Sequence, residues 1–217
     1  MAEGSGRTNM TPVRSIGVVI PTWDRRVLLD KCLASITAAN AAHPEAWAEP
    51  LVIDDHPRLD YVARMNEGIK FWRGPGEPSF DGLIYGADDI IFEPSSIASA
   101  CAMMDSRFPA WDGMIALQQN GGTRYAFGLM GRAFIAHFPD AQVFCPDYVH
   151  YYGDTELGLY AERAGKVALC PDARLYHERA KDETCTLAMA EWQRDELAFN
   201  ERRKAGLVWG ETWERVR

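Results

Sequence analysis

The 217-residue chain is long enough to bury one sizeable core and short for two ordinary domains. Its composition, 47% hydrophobic and 25% charged, is that of a soluble globular protein, and no apolar run approaches the roughly 20 residues of a membrane-spanning helix. A formal net charge of −8 gives no global pull towards nucleic acid or anionic lipid, and five cysteines with no close C-x-x-C pair signal neither a disulfide framework nor a structural zinc site.

Residues 1–14, "MAEGSGRTNMTPVR", hold no apolar core of the kind a secretory signal needs and read as a flexible lead-in, so a cytoplasmic location is expected. "SIGVVIPT", 15–22, is a β-branched run closed by a proline, which predicts a strand buried on both faces. "RRVLLDKCLASITAA", 25–39, follows at helical spacing with Asp24 available as N-cap. "LVIDDHP" gives a second strand over 51–53 that ends in Asp54 and Asp55, completing a βαβ unit. A second helix is expected over 59–72, then the turn "RGPGEP", then a third strand in "FDGLIY" that runs into "GADD". "SSIASACAMMDSRF" reads as a helix capped by Ser95 or Ser96, and "GMIALQQ" as a strand. From Arg124 to Phe138 the chain is apolar and interrupted by glycine, a pattern that fixes no element. "DTELGLYAERAG" predicts a helix ending at Gly165, "KVALCP" a strand, and "LAMAEWQRDELAFNERRKAG" a long C-terminal helix. Alternating strands and helices of this kind predict a single α/β domain over 15–180, with a mostly parallel central sheet flanked by helices. Residues 181–217 are expected to form a helical extension packed on it. Ligands of such sheets bind beyond the carboxyl ends of the strands, where "PTWDR", "DDHP" and "GADD" fall.

Asp88 and Asp89 end an apolar strand with no Lys or Arg within several positions, so a local ion pair does not compensate them. A divalent cation would, because Mg²⁺ and Mn²⁺ favour carboxylates and complete their shells with water and substrate phosphates. Capping of the next helix, or acceptance of turn N–H groups, would account for one of them equally well. His177, after a strand in "LYHERA", suits a third ligand position, although a lone histidine is more often packed or at the surface. Asp154 and Glu156 open a helix, where backbone N–H groups favour acidic residues, and plain capping explains Asp154.

The order of these motifs resembles the GT-A (Rossmann-like) glycosyltransferases, in particular the inverting family 2 type. "VVIPTWDRRVLLDKCLASI" is similar to that family's opening strand and helix, "LVIDDHP" to its second strand, and "RMNEGI" to its R-N-x-G-I helix. "LIYGADDIIFEP" resembles its D-x-D strand, and "YYGDTELGLYAERAGKVALCPDARLYH" its base helix and late metal-binding histidine. The resemblance covers most of residues 15–178. It implies a metal-dependent, inverting transfer of a sugar from a nucleotide-diphosphate donor, most readily a UDP-sugar, with Mn²⁺ or Mg²⁺ as cofactor. Pro21, Thr22, Asp24 and Arg25 would flank the nucleotide, Asp55 with Asp54 would contact its base, and Asp88, Asp89 and His177 would hold the metal and diphosphate. Asp154 would be the general base. The sequence departs from the family at Gly86, where the first carboxylate of D-x-D is expected.

For the acceptor, a glycan or other hydroxyl compound, the later half offers Trp111, Tyr125, Phe127, Tyr151 and Tyr152 for stacking and Gln118, Gln119 and Arg124 for hydrogen bonds. A modified nucleobase in DNA is disfavoured by the net charge unless Arg25, Arg26, Arg202, Arg203 and Lys204 form a basic face. Two other readings compete: a non-catalytic nucleotide- or glycan-binding relative, and a nucleotidyltransferase. The latter usually needs a glycine-rich phosphate loop, which "PTWDRR" lacks.

Overall fold

In a computed structural model, which describes residues 13–55, 60–72, 80–122 and 124–211, the first apolar run forms β1 (Arg14–Thr22). α1 (Arg26–Ala42) returns the chain to β2 (Ala46–Asp54), which pairs with β1 in parallel from Arg14↔Ala46 to Thr22↔Asp54. α2 (Tyr61–Phe71) then leads to β3 (Gly82–Tyr85), parallel to β1 on its other side. The chain continues through β4 (Ile90–Phe92), α3 (Ser96–Arg107), β5 (Met114–Gln119), β6 (Gly128–Gly131), α4 (Arg132–Ala136), α5 (Gly153–Arg163), β7 (Val167–His177) and α6 (Glu183–Lys204). These strands make one 7-stranded sheet in the order β2-β1-β3-β6-β5-β7-β4. The pairing senses set β1, β2, β3, β5 and β7 running one way and β6 and β4 the other. The sheet is therefore mixed and mostly parallel, with five carboxyl ends along one edge.

Strand alternation explains the two cores. Ile16, Val18 and Ile20 of β1 face one side, where they pack with Leu29, Cys32 and Ile36 of α1 and Ile97, Ala100 and Met104 of α3. Val19, Leu83 and Tyr85 face the other, against Val62, Met65 and Ile69 of α2, Leu157 and Tyr160 of α5 and Phe199 of α6. Two-sided burial is what the unbroken β-branched run required. All five cysteines are free, and burial, with help from Asp88 and Asp89, pushes the Cys32 thiol up to about 12, so it is an inert packing residue.

Several expectations need correcting. Asp24 does not cap α1: it sits in left-handed backbone at φ 51°, Arg25 occupies the cap position, and no side-chain cap bond forms. β7 does not stop at Pro171 but runs to His177. The proline falls at a register shift opposite Leu117/Gln118, where its missing N–H costs no ladder bond. The apolar stretch 124–138 resolves into β6 and α4, and Gly131 is needed there because a Cβ would lie 2.0 Å from the Trp111 carbonyl oxygen. Residues 1–12 of the expected lead-in and 212–217 of the expected extension lie outside the described residues, while Arg14 already belongs to β1. No helix among the described residues is long and apolar enough to cross a membrane.

Candidate active site

Parallel β1, β2, β3 and β7 deliver their carboxyl ends to one edge, and the polar residues that end them meet there. Asp88 and Asp89 occupy the turn between β3 and β4 and are 3% and 6% exposed. Their compensation comes from far away in the sequence. Arg25, just after β1, donates from Nη1 to Asp88 Oδ1 at 2.9 Å and lies 3.5 Å from Asp89 Oδ2. Its Nε donates to Asp182, the N-cap of α6, at 2.8 Å. Thr22 Oγ1 donates to Asp88 Oδ2 at 2.8 Å, and His177 Nε2 lies 3.2 Å from Asp89 Oδ1. The ion pair that reaches both aspartates comes from Arg25, 63 positions before Asp88, so no neighbour in sequence supplies it.

The two carboxyls nevertheless differ. Burial raises Asp88 to about 6 even against the Arg25 charge and the Thr22 hydrogen bond. Asp89 is equally buried, but the His177 hydrogen bond and the charges of His177 and Arg25 outweigh burial and hold it below the usual carboxylate range. Arg25 is held above its ordinary value: burial opposes its charge, and Asp182, Asp88 and Asp89 more than offset that.

Pro21, Thr22, Arg25, Asp55, Asp88, Asp89, Asp154 and His177 line a single pocket. Asp24 and Asp54 do not: Asp24 is exposed, and Asp54 is exposed on a separate cleft beside Arg64 and Glu67. Asp55 is buried, accepts from Arg64 Nε at 3.0 Å, and donates its backbone N–H to the Thr22 carbonyl at 2.8 Å, which locks the β1 and β2 ends together. Trp23, Tyr61, His150 and Thr184 also line the pocket and were not singled out from sequence. Tyr61 at the first turn of α2 was within reach of such a reading, because it follows the second strand's polar end. Its hydroxyl donates to the Gly86 carbonyl at 2.9 Å, and burial plus three nearby carboxylates raise its pKa, so it stays a donor. Gly86 itself is tightly packed: a Cβ would lie 3.2 Å from Ile90 Cδ1 and 3.3 Å from the Val19 carbonyl oxygen.

Asp154 approaches from the opposite wall. Tyr152, the residue before α5, is left-handed at φ 66°, which turns the chain so that Asp154 is the second helical residue and not its cap. Its Oδ1 accepts from the Thr155 backbone N–H at 2.7 Å. The loop that leads into this turn is held by α6. Asp195, 0% exposed, accepts from the backbone N–H groups of Val149, His150 and Tyr151 at 3.0, 2.8 and 2.8 Å.

Among the described residues no three His, Cys, Asp or Glu groups converge tightly enough to hold a metal by themselves. The donor set that faces the pocket, two carboxylates with an imidazole beside one of them, has the chemistry for Mg²⁺ or Mn²⁺, provided that part of the shell comes from a bound diphosphate and water. Trp23 adds an unpaired donor, since its indole N–H is buried with no partner among the described residues. The residues thus fit a metal-bound nucleotide diphosphate.

The acceptor candidates separate. Trp111 is buried under the Arg14 guanidinium, and Tyr125 is buried and donates to Glu162. Phe127 lines the pocket edge-on to His177 at 5.1 Å, and Gln119 lies 3.3 Å from His177 Nδ1. Gln118 and Arg124 are exposed away from it, and Tyr151 lines it. The basic face does not form as one surface, because Arg25 is spent on Asp88 and Asp182, Arg26 on Asp30, and Arg202 on Glu156 and Asp147.

No family model matches the sequence, and no curated protein matches it. Solved structures do. The catalytic domain of Drosophila β1,4-galactosyltransferase 7, in complex with xylobiose, superposes with a TM-score of 0.54 at 14% identity, over 78% of this chain and 67% of that one. A mannosyltransferase from Pyrobaculum calidifontis, in complex with GDP-Man and Mn²⁺, gives 0.59 at 11% identity, over 89% and 65%. S. aureus TarS 1–349, in complex with UDP-GlcNAc, gives 0.52 at 14% identity, over 79% and 60%. The chain spans about two thirds of the length of these proteins. Its fold is that of the GT-A glycosyltransferases, as the order of motifs implied.

Proposed function

We propose that this protein is a metal-dependent, inverting glycosyltransferase that moves a sugar from a nucleotide-diphosphate donor to a hydroxyl acceptor. One observation carries the reading: Thr22, Arg25, Asp55, Asp88, Asp89, His177 and Asp154 converge on one pocket at the strand ends of a GT-A fold. A mutant of the Drosophila enzyme has been seen with manganese and UDP-Gal, and the Pyrobaculum enzyme with Mn²⁺ and GDP-Man, which supports a metal and a nucleotide sugar here.

Asp55 would take the nucleotide base and the Trp23 indole N–H a donor oxygen, and Asp88, Asp89 and His177 would hold Mn²⁺ or Mg²⁺. When bound, that ion neutralises charge on the leaving nucleoside diphosphate without a proton. Arg25, paired with Asp88 and Asp182, keeps a permanent positive charge in the wall of the same pocket. Asp154 takes the proton of the acceptor hydroxyl as its oxygen forms a bond to the anomeric carbon. The bond from that carbon to the diphosphate oxygen breaks, and its electron pair leaves with the nucleotide.

Asp88→Ala is expected to abolish metal-dependent nucleotide binding. Asp154→Ala is expected to keep that binding and lose transfer by about 10²–10⁴-fold. Gly86 favours a second reading, a binding module without turnover, because it removes one carboxylate. Metal-dependent nucleotide binding with no transfer and no donor hydrolysis in the wild type would select it.

A further inference from the structure

The pocket wall that carries Asp154 continues outward as a run of aromatic rings. Tyr61 lies 5.4 Å from His150, His150 4.8 Å from Tyr151, and Tyr151 4.7 Å from Trp192 of α6, as ring centroids. Trp192 also lies 5.4 Å from Tyr152, which stacks on Phe199 at 4.8 Å and 25°. Tyr61, His150 and Tyr151 line the pocket, whereas Trp192 packs behind that lining against Tyr151 and is 39% exposed. Held by Tyr151 and Tyr152, the Trp192 indole still keeps more than a third of its surface in water, apolar area that a ligand ring could cover.

The same helix fixes the rest of the shelf. Asp195, three residues after Trp192, is the fully buried carboxylate that gathers the N–H groups of Val149, His150 and Tyr151. One turn of α6 thus supplies both the outermost ring and the clamp that orients the inner ones. The polar neighbours are acidic. Glu196 lies 3.4 Å from the Tyr152 hydroxyl, Asp154 lines the pocket, and the guanidinium of Arg194 is taken by Glu191 at 3.6 Å.

We infer that Trp192 and Tyr151 form the acceptor subsite and that it takes the face of a neutral sugar ring, an inference that rests on the transferase reading above. A pyranose offers an apolar C–H face to such rings and hydroxyls to the carboxylates around them. A polyanionic acceptor would meet Asp154 and Glu196, while the nearby Arg194 already faces Glu191 at 3.6 Å and the Asp60 carboxylate.

The test is protein-observed NMR of the full chain with UDP and Mn²⁺ present, with the Trp192 indole N–H signal assigned by its loss in Trp192→Phe. Methyl glycosides of xylose, glucose, galactose, N-acetylglucosamine and mannose are titrated separately, and a single-stranded DNA oligonucleotide in parallel. At least one glycoside is expected to shift the Trp192 signal, with affinity about tenfold weaker in Trp192→Ala. Asp195→Asn is expected to speed amide exchange at 149–151 and weaken the same binding. No Trp192 shift with any glycoside, equal affinity in Trp192→Ala, or a response to the oligonucleotide alone would overturn the assignment. UDP titration keeps the two claims apart: glycoside shifts with no UDP binding would sink the transferase reading and leave a sugar site, and the converse would sink only the subsite.

Discussion

Asp88 is a buried carboxyl whose ionised form folding resists. Its carboxyl titrates near 6 in the folded chain because burial outweighs Arg25 and Thr22, while an unfolded aspartate titrates near 4. Between those values the folded state binds the extra proton, so without metal stability falls as pH rises, and the cost is fully present above 6. Asp88→Asn should therefore stabilise the metal-free protein at pH 7.5 by about 1–3 kcal/mol, a few degrees in melting temperature, and by nearly nothing at pH 3.5. Thermal unfolding in EDTA at the two pH values checks this. Nucleotide binding that uses metal should show the opposite pH trend, weakening as pH drops from 7.5 to 5 and Asp88 takes up its proton. Asp55, Asp88 and Asp89 were readable one by one, because an acidic residue at the end of an apolar run is conspicuous. Their counter-charge was not: Arg25 and Asp88 are 63 positions apart and meet only because β1 and β3 are parallel neighbours.

Elements placed those residues, and some placements were hidden from a linear reading. β1, α1, β2, α2, α3 and α5 followed from β-branched runs and helical spacing, whereas β6 and α4 were obscured by glycines whose purpose, such as Gly131 against Trp111, is a tertiary contact. α2 shows what such a contact is worth. A Cβ on Gly68 would lie 2.3 Å from Val19 Cγ1 and 2.6 Å from Ile53 Cδ1, so the helix rests directly on β1 and β2. Gly68→Ala should cost about 1–3 kcal/mol in urea unfolding and weaken nucleotide binding, because α2 also carries Tyr61 to the site and holds Asp55 through Arg64. α6, expected from sequence as a helical extension packed on the domain, adds Phe199 to the second core cluster. Arg202 donates Nε to both oxygens of Glu156 at 3.1 Å, and Glu156, 2% exposed, also accepts from Tyr148 and from the Trp209 N–H. Arg202→Met should destabilise by about 3–5 kcal/mol by stranding the Glu156 charge. Adding Glu156→Gln should recover part of that in the same denaturation series.

The whole molecule orders these parts around one edge. Five like-oriented strands bring their carboxyl ends together, α2 and α5 supply the far wall, and α6 crosses from its Asp182 cap on Arg25 to its Glu156 clamp on α5. The architecture was legible in the sequence because its βαβ periodicity and polar strand ends are local signals. The closure of the site by α6 was not, because Asp182, Asp195 and Arg202 look like ordinary charges of a solvated helix until their partners are seen.

Calorimetric titration of the purified protein with UDP, GDP, CDP and dTDP, each with Mn²⁺ and with EDTA, tests the central claim most directly. One diphosphate should bind with Mn²⁺, lose that binding in EDTA, and lose it equally in Asp88→Ala. Binding of none of them, or binding of equal strength with and without metal, would contradict the account.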